Sequence, residues 1–413
     1  MPANKKVLLL NPPSRKPVLR DYYCSTFPKA NYYWHPIDLL SVAALLEGRA
    51  EIKIVDAIAF SLSRKRTLSL INEFDPDTIF ALVSTITKSE DLNFIARLNN
   101  GQRRFVIGGE VALDPGFDFE KYPFIDGLLL DFTSKKAVDF LVGELPAGRI
   151  RTREQAPDGP VTNASYSIGV MPHAALAGGR YRLPLWRGDF YSLLTDFGCP
   201  FACRFCNSGK NSLGFKTRDI DEISKELEML IQLGAKKLYL KDMTFGADKK
   251  HAESVLELLA PAKFSLRGYL RADLVTKEFA KKLKRAGFEI AQIGIESPSS
   301  ETRRVLGKNI DNARITQAFR ILHSEGIRAG VHFVLGFEED SQGSIKMCLQ
   351  MARDIDALYC SINIYRPRLG VKAINSKSGT RKALASLGAK ICMLRYNAKQ
   401  YLDFQLTPKE KAR

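Results

Sequence analysis

Short apolar runs alternate with segments of helical spacing almost from one end of this chain to the other, and that alternation limits its architecture. Lys5 to Leu10 (KKVLLL) reads as a buried parallel strand, because the apolar run is continuous and stops at Asn11-Pro12-Pro13. Helical spacing follows from Pro36 to Glu47, and strands are predicted over Glu51 to Val55, Thr78 to Val83, Arg104 to Ile107 and Gly127 to Leu130. A helix over Ser89 to Asn99 and another running to Leu141 complete the set. Strands alternating with helices predict βαβ units and an α/β fold with a doubly wound parallel sheet. Ligands of such sheets bind at the carboxyl ends of the strands. That rule singles out Asn11, Ser84, Thr85, Gly108 and Gly109 as rim positions.

The alternation resumes near Trp186, after a stretch rich in Pro, Gly and Arg. Strands are predicted over Phe190 to Leu194, Lys237 to Leu240, Phe264 to Leu270, Ile290 to Ile295, Ala329 to Leu335 and Tyr359 to Tyr365, with helices between them. Six such β-then-α units fit a partial (β/α)6 barrel. Barrel chemistry sits at the carboxyl ends of the strands, where Asp242, Arg271, Glu296-Ser297, Gly336 and Arg366-Pro367-Arg368 fall. The expected division is a Rossmann-type domain over 1–145, a linker over 146–185, a barrel over 186–370 and a short basic tail over 371–413.

Three thiols, Cys199, Cys203 and Cys206, follow the first barrel strand at C-x3-C-x2-C spacing. Thiolates so close in sequence can converge on one soft metal centre without a long loop closure. A closed structural zinc site takes four protein ligands, whereas the nearest histidines here are His173 and His251. Three thiolates with one open position suit an iron–sulfur cluster whose remaining iron binds something exchangeable. A three-ligand zinc site is the alternative. Cys24, Cys348, Cys360 and Cys392 are scattered and read as structural.

The run CPFACRFC resembles the cluster loop of the radical SAM superfamily. The resemblance implies a [4Fe-4S] cluster on Cys199, Cys203 and Cys206 and reductive cleavage of S-adenosylmethionine (SAM) to a 5'-deoxyadenosyl radical. Phe205 matches the aromatic that the family places near adenine, Gln292 to Ser297 its ribose-contacting strand, and Leu335-Gly336 its adenine-side turn. A carboxylate at Asp242 or Glu296 is chemically suited to the ribose hydroxyls or the ammonium of SAM. Arg271 is suited to grip its carboxylate. Lys241-Asp242-Met243 stands where the family often carries Gly-Gly-Glu.

The first domain resembles the cobalamin-binding domain of one large radical SAM class through LLLNPP, PIDLLSVAALLEG, IKIVDA and VIGGE. No Asp-x-His-x-x-Gly motif is present to ligate cobalt, and Asp131-Phe132-Thr133 replaces the usual Gly-Glu pair. Members without the histidine can bind cobalamin, so a cofactor domain and a domain that only packs on the barrel both stand. The aromatic-rich insertion from Asp21 to Pro36 would cover the open end of the sheet, where it could pack on a flat ligand such as a corrin, but the favoured reading is that it fills an interdomain core.

A net charge of +17 on 413 residues favours an anionic partner, with a phosphorylated or carboxylated small-molecule substrate preferred over nucleic acid or an anionic membrane surface. An external electron donor such as flavodoxin or ferredoxin follows from the resemblance. No apolar run is long enough to span a bilayer. An odd count of seven cysteines, three of them ligand-like, suits a reducing cytoplasm. The expected activity is radical functionalisation of a C–H bond, with cobalamin-dependent methyl transfer as one form of it. An iron–sulfur sensor or nucleic-acid-binding protein is the non-enzymatic alternative. A tRNA-methylthiolating enzyme is disfavoured, because only Cys24 precedes Cys199 and a second cluster needs three more thiols.

Overall fold

The computed structural model describes residues 5–22, 24–28, 32–114, 116–144, 150–152, 164–186, 188–206, 214–338, 340, 342–365 and 391–392. Arg366-Pro367-Arg368, the turn Pro157 to Pro160 and nearly all of the 371–413 tail lie outside the described residues. The chain divides into two compact units. The first comprises Met1–Pro28, Tyr33–Leu183 and Asp221–Leu233; the second comprises Lys29–Tyr32, Pro184–Ile220 and Gly234–Arg413.

In the first unit, β1 (Lys6–Asn11) is flanked by β4 (Glu51–Asp56) and β5 (Thr78–Leu82), all parallel. The sheet continues through β6 (Arg104–Gly108) and β7 (Gly127–Leu129) to β8 (Ile150–Thr152), in the order β4-β1-β5-β6-β7-β8. The reversal of strand order beside β1 makes this a doubly wound sheet. Val7, Leu8, Leu9 and Leu10 are fully buried because helices cover both faces of a parallel sheet. Those helices are α1 (Ile37–Leu45), α2 (Arg64–Phe74), α3 (Lys88–Ala96) and α4 (Lys136–Leu141). β8 falls in the stretch read as linker, and its IRT sequence has no apolar run to mark it as a strand. The unit also holds β9 (Ala164–Tyr166) and all but the first residue of α5 (Ile220–Gln232).

The aromatic-rich insertion is a hairpin of β2 (Leu19–Asp21) and β3 (Cys24–Thr26), which covers part of the sheet's carboxyl rim. Arg20 is buried within it and pairs bidentately with Asp91 at 2.9 and 2.8 Å. Its remaining nitrogen donates to Asn11 Oδ1 and the Pro12 carbonyl. Trp34 Nε1 donates to Asp21 within the same unit.

In the second unit, six parallel strands run in sequence order. They are β10 (Tyr191–Leu193), β13 (Lys237–Leu240), β14 (Ser265–Leu270), β15 (Phe288–Glu296), β16 (Arg328–Leu335) and β17 (Cys360–Ile364). β18 (Ile391–Cys392) pairs antiparallel with β17. α6 (Lys249–Leu259), α7 (Lys277–Ala286), α9 (Asn312–Ser324) and α10 (Gln342–Asp354) connect successive strands, and a short α8 (Ser300–Val305) follows β15. This is the partial barrel that the alternation predicts. α7 shows why the helices form where they do. Thr276 caps its start, Gly287 at φ 104° ends it, and Phe279, Leu283 and Ala286 bury one stripe.

Candidate active site

The three thiols lie on the turn of an antiparallel hairpin, β11 (Asp196–Gly198) with β12 (Phe215–Arg218), which the sequence reading did not foresee. Gly198 sits at φ 81°, where a Cβ would come within 2.1 Å of the Gly214 carbonyl oxygen. Only glycine lets the two strands close so tightly at the loop's entrance. The Cys199 amide donates to that same carbonyl at 3.1 Å. Further along, the Arg204 amide donates to the Leu306 carbonyl at 2.9 Å, and Gly307 at φ 73° leaves room for the Ala202 carbonyl. The loop is therefore closed at its mouth by Gly214 and tied at Arg204 to the chain that follows α8.

Cys199, Cys203 and Cys206 are half-buried. Burial pushes the Cys199 thiol up to about 11, opposed by hydrogen bonds from Phe201 and Thr244 and reinforced by the charges of Cys206 and Cys203. The three sulfurs are thus close enough to feel one another. Arg271 Nη1 lies 3.7 Å from Cys203 Sγ, and its guanidinium stacks on Phe201 at 3.7 Å. Its Nε and Nη2 grip Asp273 at 3.0 and 2.8 Å. The reading of Arg271 as a bidentate clamp on the methionyl carboxylate of SAM needs revision. Its fork is held by Asp273, two residues on, and its free edge is turned to a sulfur.

Asp242 departs from expectation in a similar way. Its carboxylate accepts from Thr195 N and Oγ1 at 2.6 Å each, and from Asp196 N at 2.9 Å. It faces the chain entering the cysteine hairpin, which it holds in place. Burial raises its proton affinity, against the pull of those bonds. Burial also raises Asp196 well above the usual carboxylate range, with the Asp242 and Asp248 charges adding to it.

Glu296 ends β15 just past a bulge, in the left-handed region at φ 72°. Backbone held there by a non-glycine residue is strained, and such positions gather at functional sites. Lys308 Nζ donates to its Oε1 at 2.9 Å. The carboxylate folds back over Gly294, where a Cβ would lie 2.4 Å from that oxygen. Ser297 is buried, its Oγ accepts from Ser299 N, and its carbonyl accepts from Arg303 at 2.5 Å. Gly336 sits at φ 109°, and its amide and that of Phe337 both donate to Asp340, at 2.7 and 3.0 Å. Phe337 packs with Leu306 and Tyr365, and Phe205 joins them from the cysteine loop. Phe205, Glu296, Ser297 and Gly336 thus belong to one neighbourhood, tied through Leu306 and Lys308. Lys308, Arg303 and Asp340 were missed in the sequence, because each acts through a partner distant along the chain and none belongs to a motif.

In the first unit, the rim residues are occupied by their own neighbours. Asn11 Nδ2 donates to Tyr33 and Asp56, and Thr85 Oγ1 donates to Glu110 Oε2 at 2.5 Å. Thr85 N donates to Ser25 of the hairpin. Gly109, at φ 78°, lies against the Arg20 carbonyl, and a Cβ on Gly108 would strike Phe80. Neither histidine of this unit is offered to a metal. His35 stacks on Tyr181 with centroids 3.9 Å apart, and His173 bonds Glu226 at 2.9 Å.

The chemistry of the donor set suits an iron–sulfur cluster: three thiols in one loop, a guanidinium against Cys203, and no fourth Cys or His in that loop. Among the described residues no group of three or more His, Cys, Asp and Glu side chains is placed to hold a single metal ion. For cobalamin the fit is narrower. Among the described residues the rim presents no histidine, and Asn11, Thr85, Gly108 and Gly109 would border a corrin there.

This loop on a partial barrel, with a doubly wound unit ahead of it, is an architecture that the chain shares with solved cobalamin-dependent radical SAM enzymes. Residues 195–352 match the model of the Radical SAM superfamily. The chain is 25% identical over 392 residues to "Uncharacterized methyltransferase PH0819" of Pyrococcus horikoshii, covering 89% of this chain and 82% of that protein. Its fold resembles the methyltransferase TsrM from Kitasatospora setae with cobalamin and a [4Fe-4S] cluster bound. That match has a TM-score of 0.67 at 17% identity, over 87% of this chain and 75% of the other. It also resembles the cobalamin-dependent SAM radical enzyme OxsB with aqua-cobalamin and SAM bound, at a TM-score of 0.63 and 18% identity. There the match covers 93% of this chain and 55% of the other. Among the described residues no helix is long and apolar enough to cross a membrane.

Proposed function

We propose that this protein is a radical SAM methyltransferase acting on a small, anionic molecule in a reducing cytoplasm. The observation that carries the reading is the pinned loop of Cys199, Cys203 and Cys206 with Arg271 against a sulfur. When bound, the cluster supplies the electron that cleaves SAM and opens radical chemistry at a C–H bond. The names of the methyltransferases to which the chain is similar favour methyl transfer over other outcomes.

Each residue then has a task. The three cysteines hold the cluster. Arg271 would offset the charge of the thiolates that hold the cluster, through its contact with Cys203. Glu296, kept in place by Lys308, accepts from the ribose hydroxyls of SAM, with Ser297 shaping the turn beside it. Phe205 and Gly336 border the adenine. Asp242 positions the cysteine hairpin through Thr195 and Asp196. Asn11, Thr85, Gly108 and Gly109 shape the rim against which a cobalamin would lie. The net positive charge suits an acidic flavodoxin or ferredoxin as electron donor.

Anaerobic reconstitution tests the reading. About four irons per chain are expected, together with 5'-deoxyadenosine or S-adenosylhomocysteine from SAM. Cys203→Ala should remove both the iron and the turnover while the circular dichroism spectrum stays unchanged. Turnover that survives in Cys203→Ala would refute it. A cobalamin-titrated visible spectrum separates the cobalamin-dependent form of the chemistry from the direct one.

A further inference from the structure

Inside the barrel, below Glu296, lies a group of polar side chains that the cluster chemistry does not use. Gln292 stands at the middle of β15, His332 at the middle of β16, and Tyr359 just ahead of β17. Gln292 Nε2 donates to the Tyr359 hydroxyl at 3.1 Å, and His332 Nε2 lies 3.0 Å from the same oxygen. With the amide donating, the Tyr359 hydrogen is directed to His332. Gln292 Oε1 has no hydrogen-bond partner among the described residues, although the residue is only 6% exposed. Whichever way the amide is turned, one end is left over. Leaving a buried amide oxygen unpaired is unfavourable, so a bound group that pairs with it is favoured at this place.

The surroundings describe that ligand. Residues 292, 294 and 296 share the face of β15 over which the Glu296 carboxylate folds. On that face Gly294 and Glu296 keep solvent exposure, as do Tyr269 on β14 and His332 on β16. Central strands of a filled barrel would bury such residues, so the inner face is reachable. Its walls are aromatic. The His332 ring meets Tyr359 at 89° with centroids 5.5 Å apart, and Tyr269 lies 5.4 Å from His332. A Cβ on Gly330 would fall 2.2 Å from the Tyr359 ring, which shows how closely that ring is seated. Behind it, the buried Arg267 guanidinium lies 6.0 Å from the ring centroid and donates to the Pro184 carbonyl. A cation at that depth disfavours a second one.

We infer that Gln292, Tyr359 and His332 form the floor of a recognition subsite in the barrel for a flat, neutral or anionic ligand that presents an N–H to Gln292. The assignment rests on the radical SAM reading for its meaning as a substrate subsite, but its geometry stands independently.

The test uses two isosteric probes, 2-quinolone, which has a ring N–H, and coumarin, which has a ring oxygen in its place. Binding to anaerobically reconstituted protein is followed by saturation-transfer NMR and equilibrium dialysis. Expected is a preference for 2-quinolone of about tenfold, the worth of one good buried hydrogen bond. Gln292→Met, which keeps the volume, should erase the preference without weakening coumarin. Tyr359→Phe, which alters neither volume nor fold, should reduce it. Equal binding of the two probes, binding of neither, or a preference that survives Gln292→Met would overturn the inference. Iron content and SAM turnover are measured on the same preparations. Loss of those with the probe preference intact indicts the radical SAM reading; the converse indicts the subsite.

Discussion

At the scale of single residues, the cysteine loop depends on an atom that is absent. Gly198→Ala would place a methyl group 2.1 Å from the Gly214 oxygen, at a φ that alanine avoids. The strain expected is at least about 1–3 kcal/mol. It falls where β11 and β12 close, so iron content should drop along with the midpoint of thermal unfolding. The cysteines themselves were legible, because three thiols at short spacing admit few other readings. The roles of Arg271 and Asp242 were not. Both stand at the strand ends where the alternation puts them, but a sequence does not say which way a fork or a carboxylate is turned. Asp273 and Thr195 decide that, and each lies beyond the motif that draws the eye.

At the scale of elements, parallel strands announced themselves through continuous apolar runs such as VLLL. The hairpins did not. β2 with β3, and β11 with β12, are three or four residues long and too polar to show a period. Their stability comes from distant partners, as the pair Arg20 and Asp91 illustrates. Arg20→Met would leave Asp91 buried without its cation, and such breaks cost about 3–5 kcal/mol. Urea unfolding of the variant followed by hydrogen exchange at β1 should report a loss of that order. A second expectation concerns acid. Burial, with His173 adding to it, holds His35 well below its ordinary range, so the fold keeps this ring neutral. The unfolded chain binds a proton there below about pH 6.5. Stability is therefore present above that pH and is lost as pH falls toward the depressed native value, by up to about 1.4 kcal/mol per pH unit. His35→Phe, seated on Tyr181, should flatten the exchange rates of β1 and β4 between those limits.

At the scale of the whole molecule, charge governs encounter more than fold. On the proposed reading, an excess of +17 would draw an acidic electron donor from a distance. SAM turnover driven by reduced flavodoxin should slow as salt rises from about 50 to about 500 mM, over which the Debye length shortens severalfold. Turnover driven by dithionite should respond far less. A flavodoxin-driven rate indifferent to salt would mean that the positive charge serves solubility alone.

The folding of Glu296 back across Gly294 has a consequence for anyone comparing related chains. A homologue with alanine in place of that glycine would keep every chemical group of the site in its sequence, yet the added methyl would evict the carboxylate from beside Lys308. Such a protein would look intact to a motif search and be disabled in the flask. The smallest side chain in the strand acts as the silent permit for the acid two places on.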